Sequence, residues 1–282
     1  MFNPNLGKIY GSHLEVDGIK THYLRVGTGP AVLLIHGASP GACSLVNWGL
    51  NLEPMAARGF SVIAFDQPGF GYSENPRDSS LEYRVAHARA FARQLNLHRF
   101  HVIGNSQGAY IAARMALEDP ATDKLVLVSS GTLAPRGSAE AQALSRKHAE
   151  ALRQYTPSLE NARVLTQGTL FHKELVTDEL VRLRYDMSTG NNLDAQNARR
   201  KAPIPRSIAE ELPGLKVKAL ILWGKDDRGA APERGLLLFQ QIPGAEFHLF
   251  DHCAHWVQWD QASRFHSIVA DFLSDQGTAS LS

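Results

Sequence analysis

Alternation of short apolar runs with helical patterns constrains this chain more than any other feature of its sequence. Apolar runs at 31–35, 61–65, 101–103, 125–128, 219–223 and 246–250 each stop at a small or polar residue. A continuous apolar run of this length suits a strand buried on both faces, as in a parallel sheet. Segments 51–58, 82–95, 107–118 and 233–241 carry apolar residues at three- and four-residue spacing. A last helix is predicted through Phe265, Ile268, Val269 and Phe272. Strands alternating with helices imply an α/β fold with a mostly parallel, doubly wound sheet. Two further strands, 11–16 and 19–26, flank Asp17-Gly18, a hairpin signal.

One stretch breaks the alternation. From Thr132 to Pro213 the pattern is helical throughout. The predicted organisation is therefore a core of 1–131 and 214–282 with an inserted helical cap at 132–213. An insertion between two sheet strands is well placed to cover a substrate pocket, although a purely structural bundle would show the same pattern. The tail from Ser274 is small and polar and is expected to fray.

Of the 282 residues, 44% are hydrophobic and 20% charged, with a formal net charge of +1, which fits a globular domain with a large core. The densest basic run, Arg199-Arg200-Lys201, reads as a solvated helix face rather than a nucleic-acid footprint. No apolar run approaches the ~20 residues that span a bilayer, and the N-terminal Met1-Phe2-Asn3-Pro4-Asn5 lacks signal-peptide character. Cys43 and Cys253 are too few for a disulfide framework. The expectation is a cytoplasmic protein with reduced thiols that binds neither nucleic acid nor membrane.

Gly104-Asn105-Ser106-Gln107-Gly108 is a G-x-S-x-G pentapeptide between a predicted strand and a predicted helix. In that setting the serine sits on a tight, strained turn that aims its oxygen out of the sheet, and the flanking glycines leave room for the turn. A hydroxyl needs a base to be a useful nucleophile. Of twelve histidines, His255 follows the strand at 246–250 and precedes the last helix, which puts it on the rim that carries Ser106. His252 is the competitor and is expected to be a surface loop residue. The orienting acid should follow the strand at 219–223, where Asp226 and Asp227 are both candidates. Asp227 lies further past the strand, where the chain can turn back to the histidine, so the predicted triad is Ser106, His255 and Asp227. The loop His36-Gly37-Ala38-Ser39-Pro40-Gly41-Ala42 can offer a backbone N–H to an oxyanion, the second coming from the residue after the nucleophile. Ala38 and Gln107 are thus the predicted donors, and losing one such donor typically costs ~3 kcal/mol of transition-state stabilisation. Cys43 lies nearby with no visible base and is read as packing.

These segments resemble the meta-cleavage product hydrolases, carbon–carbon bond hydrolases of aromatic degradation in the α/β-hydrolase superfamily. The likeness runs from about His13 to Leu273 and is weakest in the cap. It rests on His36-Gly37-Ala38-Ser39-Pro40-Gly41-Ala42 with Asn47 downstream, and on Asp66-Gln67-Pro68-Gly69-Phe70-Gly71-Tyr72-Ser73. It rests also on Gly104-Asn105-Ser106, Trp223-Gly224-Lys225-Asp226-Asp227-Arg228, Cys253-Ala254-His255-Trp256-Val257-Gln258, and Glu179-Leu180 through Arg184-Tyr185. Ser39 and Ala254 stand where the family pattern has glycine, Ala109 where it often has one, and Gly229-Ala230-Ala231-Pro232 where it has F-V-P.

The resemblance implies a 2-hydroxy-6-oxo-hexa-2,4-dienoate substrate, no metal or organic cofactor, and a homodimer or larger assembly. It implies that Arg184 holds the substrate carboxylate, since a guanidinium fork matches a carboxylate, and that Asn47, Asn105 and Trp256 line the dienoate end. The rival readings are a carboxylesterase or lactonase on the same triad, and a receptor that keeps the triad and signals by cap closure. A haloalkane dehalogenase or epoxide hydrolase would carry aspartate at position 106.

Overall fold

The structure is a computed structural model that describes residues 2–203 and 205–275; most of the tail expected to fray, 276–282, lies outside the described residues. Eight strands form one sheet: β1 (Gly11–Val16), β2 (Ile19–Val26), β3 (Ala31–Ile35), β4 (Ser61–Phe65), β5 (Phe100–Asn105), β6 (Thr122–Val128), β7 (Lys218–Gly224) and β8 (Glu246–Phe250). Their order is β1-β2-β4-β3-β5-β6-β7-β8. The β1–β2 and β2–β4 pairs are antiparallel and the rest parallel. Asp17 (φ 49°) and Gly18 (φ 77°) close the hairpin, and two consecutive positive φ values match a type I′ turn.

Helices α1 (Leu6–Tyr10), α2 (Ser44–Trp48), α3 (Leu52–Ala56), α4 (Leu81–Gln94) and α5 (Gln107–Glu118) come before β6 or between the earlier strands. Between β6 and β7 lie α6 (Ala139–Gln154), α7 (Leu159–Thr169), α8 (Asp178–Asp186) and α9 (Gly190–Lys201), with α10 (Pro232–Gln241), α11 (Val257–Asp260) and α12 (Ala262–Ser274) following. Ser80, Ser138, Ser158 and Thr177 cap α4, α6, α7 and α8, each accepting a backbone N–H three residues on. No helix among the described residues is long and apolar enough to cross a membrane.

Strand residues alternate between two cores. Leu33, Ile63, Val102, Leu125 and Ile221 face Phe91, Tyr110, Ile111 and Met115 on one side. Leu34, Val62, Ile103, Val126 and Leu220 face Trp48, Trp259, Phe265 and Val269 on the other. Burial on both faces is why these runs are continuously apolar.

Three expectations need correction. The helix predicted at 51–58 is only the five-residue α3, whose Pro54 sits in its first turn, and the short α2 ahead of Gly49 was not expected. The run at 246–250 is an edge strand whose Leu249 is 48% exposed, so it is not buried on both faces. Arg199 is not on a solvated face: it stacks 3.6 Å over the Phe70 ring and donates to Gly69 O, while Arg200 donates to Leu152 O and Tyr155 O.

The site depends on how closely α5 approaches the sheet. A Cβ on Gly108 would stand 2.2 Å from Ile35 O and 2.5 Å from His36 O, so only glycine lets the helix seat there. Gly108→Ala is expected to destabilise the fold by about 2 kcal/mol or more. Urea unfolding measures this, and an unchanged midpoint would refute the packing account.

Candidate active site

Ser106 is the bend between β5 and α5, with φ 56° and ψ −122°. Such a conformation costs ~1–3 kcal/mol and persists only where neighbours hold it. Here the Ser106 N–H donates to Val128 O (2.9 Å) and Ser130 Oγ donates to Ser106 O (2.7 Å). A Cβ on Gly104 would lie 2.3 Å from Gly108 O, so the turn also needs glycine before the serine.

Two loops further along the sheet bring His255 and Asp227 together. His255 Nδ1 lies 2.8 Å from Asp227 Oδ2, and Asp227 is 2% exposed. Asp227 Oδ1 accepts the N–H groups of Gly229 (2.7 Å) and Ala230 (2.9 Å), and Trp223 Nε1 donates to Ala230 O to brace that turn. The carboxylate is therefore fully engaged, and the pairing assigns the ring proton to Nδ1 and leaves Nε2 unprotonated. Asp226 points elsewhere and accepts the Cys253 N–H. His252 is exposed on the loop. Ser106 and His255 line one cavity of about 300 Å³ without a hydrogen bond between them.

Ala38 and Gln107 line that cavity too, as do Asn47, Asn105 and Trp256. Gln107 is the first residue of α5, so its N–H is one of those with no partner inside the helix. His36, on the loop that carries Ala38, accepts the Gln67 N–H at Nε2 (3.0 Å) and donates from Nδ1 to Gly37 O (2.6 Å). Beneath lies a polar chain in which Arg84 donates to Gln67 Oε1 and to Gln107 Oε1. Asn47 Nδ2 donates to Asn105 Oδ1 (3.0 Å), while Asn47 Oδ1 is buried with no hydrogen-bond partner.

Arg184 is fully buried and sits behind the cavity wall rather than lining it. It donates to Ser39 Oγ (2.7 Å), Pro40 O (3.1 Å) and Thr166 Oγ1 (3.4 Å), and its guanidinium lies 5.1 Å from the Trp256 ring centre. All three acceptors are neutral, and burial pulls its pKa down to about 10. Cys43 is buried and free, and Val46 N–H donates to its sulfur, which is a packing and capping role.

Three residues with a place in the site were not singled out from the sequence. His148 of α6 lines the cavity with its ring 6.3 Å from that of His255. Arg234 of α10 lines it as well. Asp260 accepts N–H groups from Ala254, beside His255, and from Phe171 and His172, just past α7. Only the fold brings them to the site, since none belongs to a local motif. Among the described residues no cluster of three or more His, Cys, Asp or Glu side chains is placed to hold a metal ion.

A serine at a strained strand–helix turn, facing an Asp-paired histidine across a cavity, defines a hydrolase of the α/β type. Residues 30–262 match the α/β hydrolase fold family. The chain is 32% identical over 265 residues to a 2-hydroxy-6-oxononadienedioate/2-hydroxy-6-oxononatrienedioate hydrolase of Dechloromonas aromatica (strain RCB), covering 91% of each chain. It is 32% identical to the 2-hydroxy-6-oxo-6-phenylhexa-2,4-dienoate hydrolase of Burkholderia cepacia, covering 92% of this chain and 93% of the relative. The solved meta-cleavage product hydrolase CumD of Pseudomonas fluorescens IP01 superposes with a TM-score of 0.82 at 30% identity, over 94% of this chain and 97% of that one. The chain belongs to the meta-cleavage product hydrolases.

His36, His87, His148 and His266 are each pulled down to about 4, chiefly by burial. In the unfolded chain they titrate near their ordinary value of about 6.5. Between these values the unfolded chain takes up protons that the fold excludes, so unfolding becomes easier as pH falls. Their contribution is fully present above about pH 6.5 and is lost progressively toward pH 4. Urea midpoints at pH 7.5, 6 and 5 should fall in that order; a flat series would contradict the burial of these rings as neutral groups.

Proposed function

We propose that the chain hydrolyses the C5–C6 bond of a 2-hydroxy-6-oxo-hexa-2,4-dienoate, with Ser106, His255 and Asp227 as its triad. The observation that carries this reading is Arg184, a buried guanidinium with neutral partners only, one side chain away from the cavity that holds Ser106. A simple ester has no group that needs such a cation, whereas a dienoate carries a carboxylate that a guanidinium matches. Arg184 would take that carboxylate, and the unpartnered Oδ1 of Asn47 would accept a hydrogen bond from the 2-hydroxyl. Asn105 and Trp256 complete that end of the cavity.

The reaction begins with ketonisation, in which the 2-hydroxyl proton leaves and C5 gains one. His255, oriented by Asp227, takes the proton of Ser106 or of a water. The activated oxygen attacks C6, and the N–H groups of Ala38 and Gln107 receive the oxyanion. Collapse breaks the C5–C6 bond, and its electron pair passes into a dienolate conjugated with the carboxylate at Arg184. One water is consumed overall, giving a carboxylic acid and 2-hydroxypenta-2,4-dienoate. Segment 132–213 acts in this reading as the lid. The His255 N–H bonded to Thr169 O (3.1 Å) supports that role, because it ties the base to the end of α7.

Loss of visible absorbance from a yellow 6-substituted dienoate tests the reaction. Wild type should bleach it and Ser106→Ala should not. Arg184→Gln should lower kcat/KM for the dienoate by about 100-fold, the scale of losing charge-assisted hydrogen bonds to one carboxylate, with a far smaller loss on a short nitrophenyl ester. Equal losses on both substrates would assign Arg184 to structure. Brisk ester hydrolysis by the wild type without bleaching would leave an esterase on the same triad.

A further inference from the structure

An oxyanion is stabilised only where its donors converge on one point, about 2.7–3.1 Å from the oxygen. The two proposed donors belong to separate elements, Ala38 to the loop after β3 and Gln107 to the start of α5. The β3–β5 ladder holds these chains in register as far as Ile35 and Gly104 and ends there. Each donor lies three residues beyond that last pair. Gly108 sets how closely α5 approaches the loop. What ties the two donor-bearing segments to one another is a chain of buried side chains.

Gln67, just past β4, is bound to the loop twice: its N–H donates to His36 Nε2 (3.0 Å) and its Nε2 donates to His36 O (2.6 Å). Its Oε1 accepts from Arg84 Nη1 (3.2 Å), and Arg84 Nη2 donates to Gln107 Oε1 (2.7 Å). One guanidinium thus bridges the segment that carries Ala38 and the residue that carries the second donor. His36 and Gln67 are fully buried and Arg84 is 3% exposed. Both acceptors of Arg84 are neutral, its Nε is buried without a partner, and no carboxylate pairs with it among the described residues. Burial pulls its pKa down to about 10, which leaves it charged at neutral pH. A cation in such surroundings is costly, and a neutral amide could also donate to two oxygens. What a guanidinium adds is a rigid planar fork, whose two Nη groups hold those oxygens at a set separation. We propose that Arg84 is a positioning residue, which fixes the Ala38 and Gln107 N–H groups relative to each other by bridging Gln67 and Gln107. This rests on the C–C hydrolase reading, and within it on Ala38 and Gln107 as the donors.

A double-variant cycle of Arg84→Met and Gln107→Met tests the bridge. Methionine keeps an unbranched side chain at both positions, and Gln107→Met retains its backbone N–H. An ester and a dienoate would use the same two donors, so kcat and KM are measured on a short nitrophenyl ester and on a 6-substituted dienoate. Removing a donor outright costs about 10²–10³ in kcat; displacing one should cost less. Each single variant is therefore expected to lower kcat by about tenfold on both substrates, with KM nearly unchanged. The double variant should lie close to either single one, because both changes break the same bridge. Arg84→Lys keeps the charge without the fork and should not restore kcat. Should Arg84→Met fail to fold, Gln107→Met alone decides. Full kcat in Gln107→Met, additive losses in the double variant, a loss confined to KM, or recovery with lysine would each overturn the bridge and leave the C–C reading standing. If wild type hydrolyses the ester and bleaches no dienoate, the C–C reading falls and the bridge is judged on the ester. If it hydrolyses neither, the donors lose their role and the bridge falls with them.

Discussion

The backbone at Ser106 bends into a conformation that few residues adopt, and the rest of the site depends on that bend being kept. It is restrained from both neighbouring strands. Val128 O and Ser130 Oγ grip the serine's own peptide groups from the β6 side. From the β3 side, Ile35 O and His36 O press on α5 at Gly108. The loops that leave these two strands carry Ala38 and the acceptors of Arg184 on one flank, and the acceptors of Arg234 on the other. One strained turn therefore sets the position of the proposed nucleophile against both proposed oxyanion donors and both buried cations. A relaxed turn would move the serine relative to all of them together.

How much of this could be read from the sequence follows from which features are local. The parallel core was legible because strands buried on both faces must be apolar throughout. The elbow was legible because two glycines two positions either side of a serine are a steric requirement printed in consecutive residues. The choice of Asp227 over Asp226 rested on distance past the strand; what separates them physically is that Asp227 Oδ1 is capped by Gly229 and Ala230 while Asp226 turns to Cys253. The edge position of β8 was not legible, since its composition resembles that of a buried strand and only pairing order reveals that it has one neighbour. Arg199 was misread for a related reason. A basic run looks solvated until the fold sets the Phe70 ring beneath it. His148, Arg234 and Asp260 reach the site from helices far apart in the chain, and nothing in their neighbourhoods marks them.

His255, the proposed base, is held from two directions. Its side chain is fixed from the sheet, through Asp227 and the turn braced by Trp223. Its main chain is fixed from the inserted helices, through Thr169 O and through Asp260, which gathers N–H groups from both segments. The end of α7 is thereby hydrogen-bonded to the His255 backbone while the imidazole is paired with Asp227. In the proposed reading, these backbone hydrogen bonds join the lid at 132–213 to the base.

Under the proposed reaction, charge balance in the cavity explains why His148 stays neutral. Two buried guanidiniums flank Ser106, and Asp227 is the carboxylate committed to His255. If His255 takes a proton, as in the proposed reaction, a third positive charge appears within this low-dielectric space. A protonated His148, with its ring 6.3 Å away, would add a fourth and oppose the step. Burial and the neighbouring His255 both hold His148 uncharged. In the proposed reaction, a substrate carboxylate at the Arg184 end would offset one of these fixed charges.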